Sequence, residues 1–131
     1  MSEQPQMTPG TFGWNELMTT DAEACKAFFT ELMGWSTESM AMPSGGTYTV
    51  FKLGDRPTGG MMAMEGPEFE GAPAHWTGYL TVEDVNATVA KCQALGGSVV
   101  TEPFDVEHVG RFAVIADPTG AAVGIGAYLE G

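Results

Sequence analysis

The chain has 131 residues, 44% of them hydrophobic, with 17 acidic side chains against 5 basic ones and a net charge of -12. That length fits one domain, and the apolar share is enough to build a core, which excludes a disordered tail. Lys26, Lys52, Arg56, Lys91 and Arg111 are scattered, whereas phosphate-backbone binding needs clustered Lys and Arg, so nucleic acid is not an expected partner. The acidity supports solubility and favours cationic over anionic ligands at long range. No run approaches the roughly 18 apolar residues of a membrane span. Residues 1–9 lack the basic-then-apolar order of a signal peptide and read as a frayed leader ending near Gly10. Cys25 and Cys92 fall on the apolar side of predicted helices; two cysteines are too few for a bridge-stapled secreted domain, so reduced thiols in the cytoplasm are expected.

In chain order, residues 11–18 read as a strand, and Asp21 caps a helix whose free N–H groups its carboxylate can accept from. Cys25, Phe28, Phe29, Leu32 and Met33 then form one apolar stripe, closed by Gly34 as a C-cap. Residues 35–42, 47–53 and 60–64 are three short strands, punctuated by turns at 43–46 and 54–57. Residues 65–74 hold two prolines and two glycines without periodicity and read as a linker. The pattern then restarts. Residues 75–82 are a strand, Asp84 caps a helix with the stripe Val85, Val89, Cys92 and Leu95, and Gly96-Gly97 ends it. Strands at 98–101, 110–116 and 121–128 follow, with Asp117-Pro118-Thr119-Gly120 turning between the last two and His108 in a polar loop over 105–110.

Asp84 stands 63 residues after Asp21, and Gly97 stands 63 after Gly34. A helix cap and a helix stop at one shared spacing mark an internal repeat, β-α-β-β-β twice over. The expected modules are 10–64 and 75–129, joined by the 65–74 linker within one structural domain. One unit alone exposes a face of its four-stranded sheet; pairing two buries more surface and leaves a concave space between them.

The stretch Trp14-Asn15-Glu16-Leu17-Met18-Thr19-Thr20-Asp21, the helix end Leu32-Met33-Gly34-Trp35, Ala94-Leu95-Gly96-Gly97, and the run from Gly110 through Asp117-Pro118-Thr119-Gly120 resemble the vicinal oxygen chelate superfamily. That superfamily includes glyoxalase I, bleomycin-resistance proteins and extradiol dioxygenases. The resemblance covers nearly the whole chain and implies an α+β fold: two βαβββ modules pairing into a curled eight-stranded mixed sheet around a cavity. It also implies a homodimer. Its enzymes usually hold a divalent metal with His and Glu from inward strand positions. Those positions here fall on Trp14, Thr77 and Gly124, with the fourth near Gly60. None offers a strong side-chain ligand, so neither a metal nor another cofactor is expected.

Strand alternation places Phe12, Glu16 and Met18 with Trp14, and His75, Tyr79 and Thr81 with Thr77. The expected ligand-binding residues are Trp14, Glu16, Met18, His75, Thr77, Tyr79 and Gly124. The first functional expectation is a metal-independent binding module for an apolar or cationic small molecule, since aromatic faces and acids attract cations. The alternative is a metal-independent lyase or isomerase in which Glu16 and His75 move a proton as catalytic acid and base. A third reading is a dimeric scaffold with a vestigial pocket; a glyoxalase- or dioxygenase-type metalloenzyme is disfavoured by the ligand positions.

Overall fold

A computed structural model describes residues 8–42, 45–106 and 109–129. Most of the expected leader, residues 43 and 44 of the first turn, and His108 with its neighbour lie outside the described residues. The order is β1 (Phe12–Thr19), α1 (Ala22–Met33), β2 (Ser36–Ala41), β3 (Thr47–Leu53), β4 (Arg56–Ala63), a single 3-10 turn at Pro67–Phe69, β5 (His75–Thr81), α2 (Val85–Ala94), β6 (Ser98–Val106), β7 (Gly110–Ala116) and β8 (Ala122–Tyr128). This is an α+β fold with β-α-β-β-β occurring twice. The eight strands form a mixed sheet in the order β2-β3-β4-β1-β5-β8-β7-β6. Pairs β1/β4 and β5/β8 are parallel, while β2/β3, β3/β4, β6/β7 and β7/β8 are antiparallel. The residues group into two compact units, Asn15–Trp76 and the remainder, with β1 divided between them at Trp14.

In the Asn15–Trp76 unit, Asp21 accepts from the Ala24 N–H at 3.1 Å and starts α1; Gly34, at φ 73°, ends it. The left-handed conformation at Gly34 is one that a Cβ would disfavour. Leu17, Phe51 and Met61 are the buried core, with Ala22, Cys25, Phe29 and Trp35 packed against it. Phe29 anchors the helix: its ring centroid lies 5.6 Å from that of Trp35, 5.8 Å from Phe51 and 5.5 Å from Trp76. The expected five-residue stripe is wider than the surface it meets. Phe28, Leu32 and Met33 remain 57%, 60% and 51% exposed. A straight helix touches a sheet along one line, and Ala22, Cys25 and Phe29 occupy it, while Phe28 sits one residue step, about 100°, around the helix from Phe29, and Leu32 and Met33 lie in the last turn, beyond Phe29. The turn expected over 54–57 is shorter, because β4 already begins at Arg56. Pro57 is tolerated there because the β3/β4 register slips between Phe51 and Lys52, from Gly59 to Pro57, and leaves Thr58 as the extra residue of a bulge.

In the other unit, Asp84 accepts from the Ala87 N–H at 3.0 Å to cap α2. Val85, Ala113 and Ile125 form its core, with Leu80, Val82, Val89, Ile115 and Ala127 packed around them. Leu95 closes the helix as its C-cap and is 70% exposed, so it does not extend the buried stripe. Gly97 has a separate reason to be glycine: a Cβ there would lie 2.5 Å from Cys92 Sγ and 2.6 Å from the Ala116 carbonyl oxygen. Strand β6 runs on to Val106 through Pro103, past the expected end at Thr101, with register shifts either side of Thr101. Pro103 and the bulges suit an edge strand, where lost ladder bonds cost little. Both cysteines are free thiols.

The β7–β8 turn is tied by one carboxylate. Asp117 Oδ1 accepts from Thr119 N–H at 2.9 Å, Thr119 Oγ1 at 2.6 Å and Ala121 N–H at 3.1 Å. The Thr119 hydroxyl first, then the Ala121 and Thr119 amides, hold the Asp117 carboxyl below its ordinary value of 3.8. A lowered folded-state pKa gives stability that is complete above the unfolded pKa and is lost as pH falls through the folded one. Asp117→Asn is therefore expected to lower the melting temperature at neutral pH and to flatten its decline in acid; thermal melts across pH check both.

Candidate ligand-binding site

Each helix covers one side of its sheet, and strand alternation puts the expected site residues on the other. In the unit containing α2, Thr77 and Tyr79 are buried on the side away from Val85. Tyr79 pairs with Gly124 across β5/β8, and a Cβ on Gly124 would lie 2.4 Å from Tyr79 Cδ2. The Tyr79 ring thus lies flat on the glycine. Gly126 does the same for Phe112, whose Cδ1 is 2.6 Å from where a Cβ would stand. Phe112 is the centre of an array, with ring centroids 5.8 Å from Tyr79, 5.5 Å from Tyr128 and 6.1 Å from Phe104. The Tyr79 and Tyr128 contacts are edge-to-face, the geometry the aromatic quadrupole favours. Tyr79 and Phe112 are 6% and 8% exposed, while Phe104 reaches 37%. Trp14, which groups with this unit, is half-buried.

In the Asn15–Trp76 unit, Glu16 and Met18 face away from the Leu17–Phe51 core. The strand registers lay out two cross-strand rows on that side. One is Glu38–Val50–Gly60–Glu16 and the other Met40–Tyr48–Met62–Met18. The equivalent rows of the other unit are Thr101–Val114–Gly124–Tyr79 and Phe104–Phe112–Gly126, with Thr81 beside Gly126. Glu16 and Tyr79 therefore hold matching places in the repeat. Glu16 is half-buried and is not left unpaired. Glu38 is tied to Lys52 at 3.1 Å. His75, at the start of β5, is exposed, and its Nδ1 donates to the Pro73 carbonyl at 2.9 Å.

The structure thus brings Tyr79 and Gly124 into contact and sets Glu16 and Met18 on one side of β1. His75 bonds the Pro73 carbonyl, and Glu16 has a partner of its own. Phe104, Phe112 and Tyr128, and Tyr48, Met40 and Met62 in the Asn15–Trp76 unit, were absent from the expected site. The signal for Phe112 and Tyr128 lay in alternation: Tyr128 has the parity of Gly124 and Gly126, and Phe112 faces Gly126 across β7/β8.

The architecture is that of the paired-βαβββ proteins. The chain belongs to the glyoxalase/bleomycin resistance protein/dioxygenase superfamily, whose family model matches residues 11–125. Among curated relatives, CFP32 of Mycobacterium bovis, which carries a glyoxylase name, is 45% identical over 112 residues, covering 86% of this chain and 42% of the relative. The anthracycline biosynthesis protein DnrV of Streptomyces peucetius is 31% identical over 131 residues, covering 92% of this chain and 48% of the relative. The chain spans less than half the length of these relatives. Solved structures share the fold. Methylmalonyl-CoA epimerase from Mycobacterium tuberculosis superposes with a TM-score of 0.67 at 12% identity, covering 99% of this chain and 94% of that one. The Mn(II)-bound glyoxalase from Novosphingobium aromaticivorans gives 0.57 at 16%, covering 91% and 39%.

The metal that the family implies does not fit the residues present. Trp14, Thr77 and Gly124, with Gly60 near the fourth place, are the residues at the positions where the resemblance puts the ligands, and none has a strong ligating side chain. At Gly124 the space a glutamate side chain would need is filled by the Tyr79 ring. Among the described residues no three His, Cys, Asp or Glu side chains are grouped.

Proposed function

We propose that this chain is a metal-independent binding protein for an apolar or cationic small molecule, taken up on the sheet faces opposite the helices. The observation that carries this reading is the seating of Tyr79 on Gly124: an aromatic surface stands where the family places a metal ligand. Phe104 and the part-buried Tyr128, backed by the buried Tyr79 and Phe112, offer ring surface to a flat apolar body, and Trp14 and Glu16 each suit a cation. A relative whose name ties it to anthracycline biosynthesis agrees with a planar polycyclic ligand.

A second reading is a lyase or isomerase using Glu16 and His75. It is supported by the His75 ring, whose Nδ1–H bond to the Pro73 carbonyl fixes its orientation and leaves Nε2 outside that bond. On either reading we place the protein in the cytoplasm, in line with two free thiols. No described helix is long and apolar enough to cross a membrane.

We further propose a two-fold dimer, the commonest closed assembly. Native mass spectrometry of the untagged chain tests these points together. The expected result is two chains carrying a small organic adduct and no stoichiometric metal. An equivalent of zinc, nickel, manganese or iron per chain, lost on chelation together with an activity, would overturn metal independence; a single-chain mass at every concentration would overturn the dimer. Turnover of the recovered adduct would select the enzyme reading.

A further inference from the structure

We propose that the Asn15–Trp76 unit carries a second small-molecule site, on the helix side of its sheet, for a compact zwitterion bearing one ammonium and one carboxylate. It lies on the opposite side of the sheet from Glu16 and Met18 and stands independently of the function proposed above.

The site is a cleft of about 420 Å³ beside the first turns of α1, within the size range of ligand pockets. Its origin is local. The sheet side that α1 should cover carries mostly small residues at this end: Ser39 and Thr49 form one cross-strand row with the larger Met61, and Thr47 and Ala63 lie beyond it. The helix presents Ala22, Glu23 and Lys26 there, with Phe29 placed further along. The described lining from the helix and its flanks is Ala22, Glu23, Lys26, Gly46 and Glu65, and the buried Met61 and Thr49 form the floor. Ser39 and Thr49 hydroxyls bond each other at 3.0 Å.

The charges on the wall define the ligand. Lys26 Nζ is 4.0 Å from Glu23 Oε2, longer than the 2.7–2.9 Å of a formed charge-assisted hydrogen bond. Lys26 lines the cleft, and its side chain is 33% exposed. Glu65 lines the same cleft, with Oε1 close to Gly46. A plain anion meets Lys26 but also two carboxylates and the field of a chain of net charge -12. A plain cation meets Glu65 but also Lys26. A molecule with both charges satisfies both walls, carries no net charge into that field, and can lay its middle over Ser39, Thr49 and Met61.

Glycylglycine is a suitable probe, with acetate and ethylammonium as single-charge controls. In two-dimensional NMR titrations of the whole chain, glycylglycine should shift the Lys26, Thr47 and Thr49 amides, and each control should bind at least about tenfold more weakly. Lys26→Met and Glu65→Gln, both at the cleft rim, should each weaken glycylglycine about tenfold while leaving the melting temperature unchanged. Absence of shifts at those amides, equal binding of either control, or wild-type binding by both variants would each overturn the site. None of these results touches Trp14, so failure here is distinct from failure of the first proposal.

Discussion

Gly124→Glu, which restores the residue type the family uses as a metal ligand, is expected to lower stability and to bind no metal. The reason is distance. A Cβ at residue 124 would stand 2.4, 2.5 and 2.7 Å from Cδ2, Cε2 and Cγ of Tyr79, inside the contact limit of any real side chain. The ring is 94% buried by its 6% exposure and cannot swing out freely. Overpacking of this kind costs about 1–3 kcal/mol. Because the clash is already present at Cβ, Gly124→Ala should show most of it. Tyr79→Ala alone leaves a cavity and should also destabilise, but in the Gly124→Ala background it removes the clash. The two changes together should therefore cost less than the sum of the singles. Thermal denaturation of the four proteins measures this, and zinc and manganese titration of Gly124→Glu measures the second half of the claim. Wild-type stability in Gly124→Ala would show that the ring is not held on the glycine.

The same contact explains what could be read from the sequence and what could not. Local signals carried the fold. Asp21 and Asp84 are caps whose side chains bond the expected N–H groups, and the spacing they share reports the repeat. Periodicity correctly put Cys25 and Phe29, and Val85 and Val89, against their sheets. It could not say where a stripe outruns the surface it meets, so Phe28, Leu32 and Leu95 were assigned to the buried side and are exposed. Strand ends failed for a related reason: bulges at Thr58 and around Thr101 depend on the partner strand, and Pro57 and Pro103 read in isolation as breaks. For the site, alternation identified which strand residues share a side, but the seating of rings on Gly124 and Gly126 depends on β5, β7 and β8 being in register. Cross-strand register is a tertiary fact, and so Phe104, Phe112 and Tyr128 were not among the expected ligand contacts.

Trp14→Ala is expected to weaken ligand binding by at least about a hundredfold, since losing an indole face removes both apolar area and a cation–π partner. Trp14 is half-buried, so the fold should survive at the lower end of the roughly 3–5 kcal/mol that removing a buried tryptophan costs. Glu16→Gln keeps the shape and removes one charge, and it separates the two functional readings. If the chain binds without turnover, this variant should weaken a planar aromatic cation and spare its neutral counterpart, since only the cation gains from the carboxylate. If Glu16 moves a proton, both ligands should bind as before while turnover is lost, because Gln cannot take up or release the proton. Glu16 already engages a partner, so a general loss of stability in Glu16→Gln must be measured alongside by thermal denaturation. Fluorescence titration, read from the chain's three tryptophans, follows binding directly. Should Trp14→Ala and Glu16→Gln both bind either ligand as the wild type does, the β1 face is not the site, and the aromatic array around Phe112 would have to act without it.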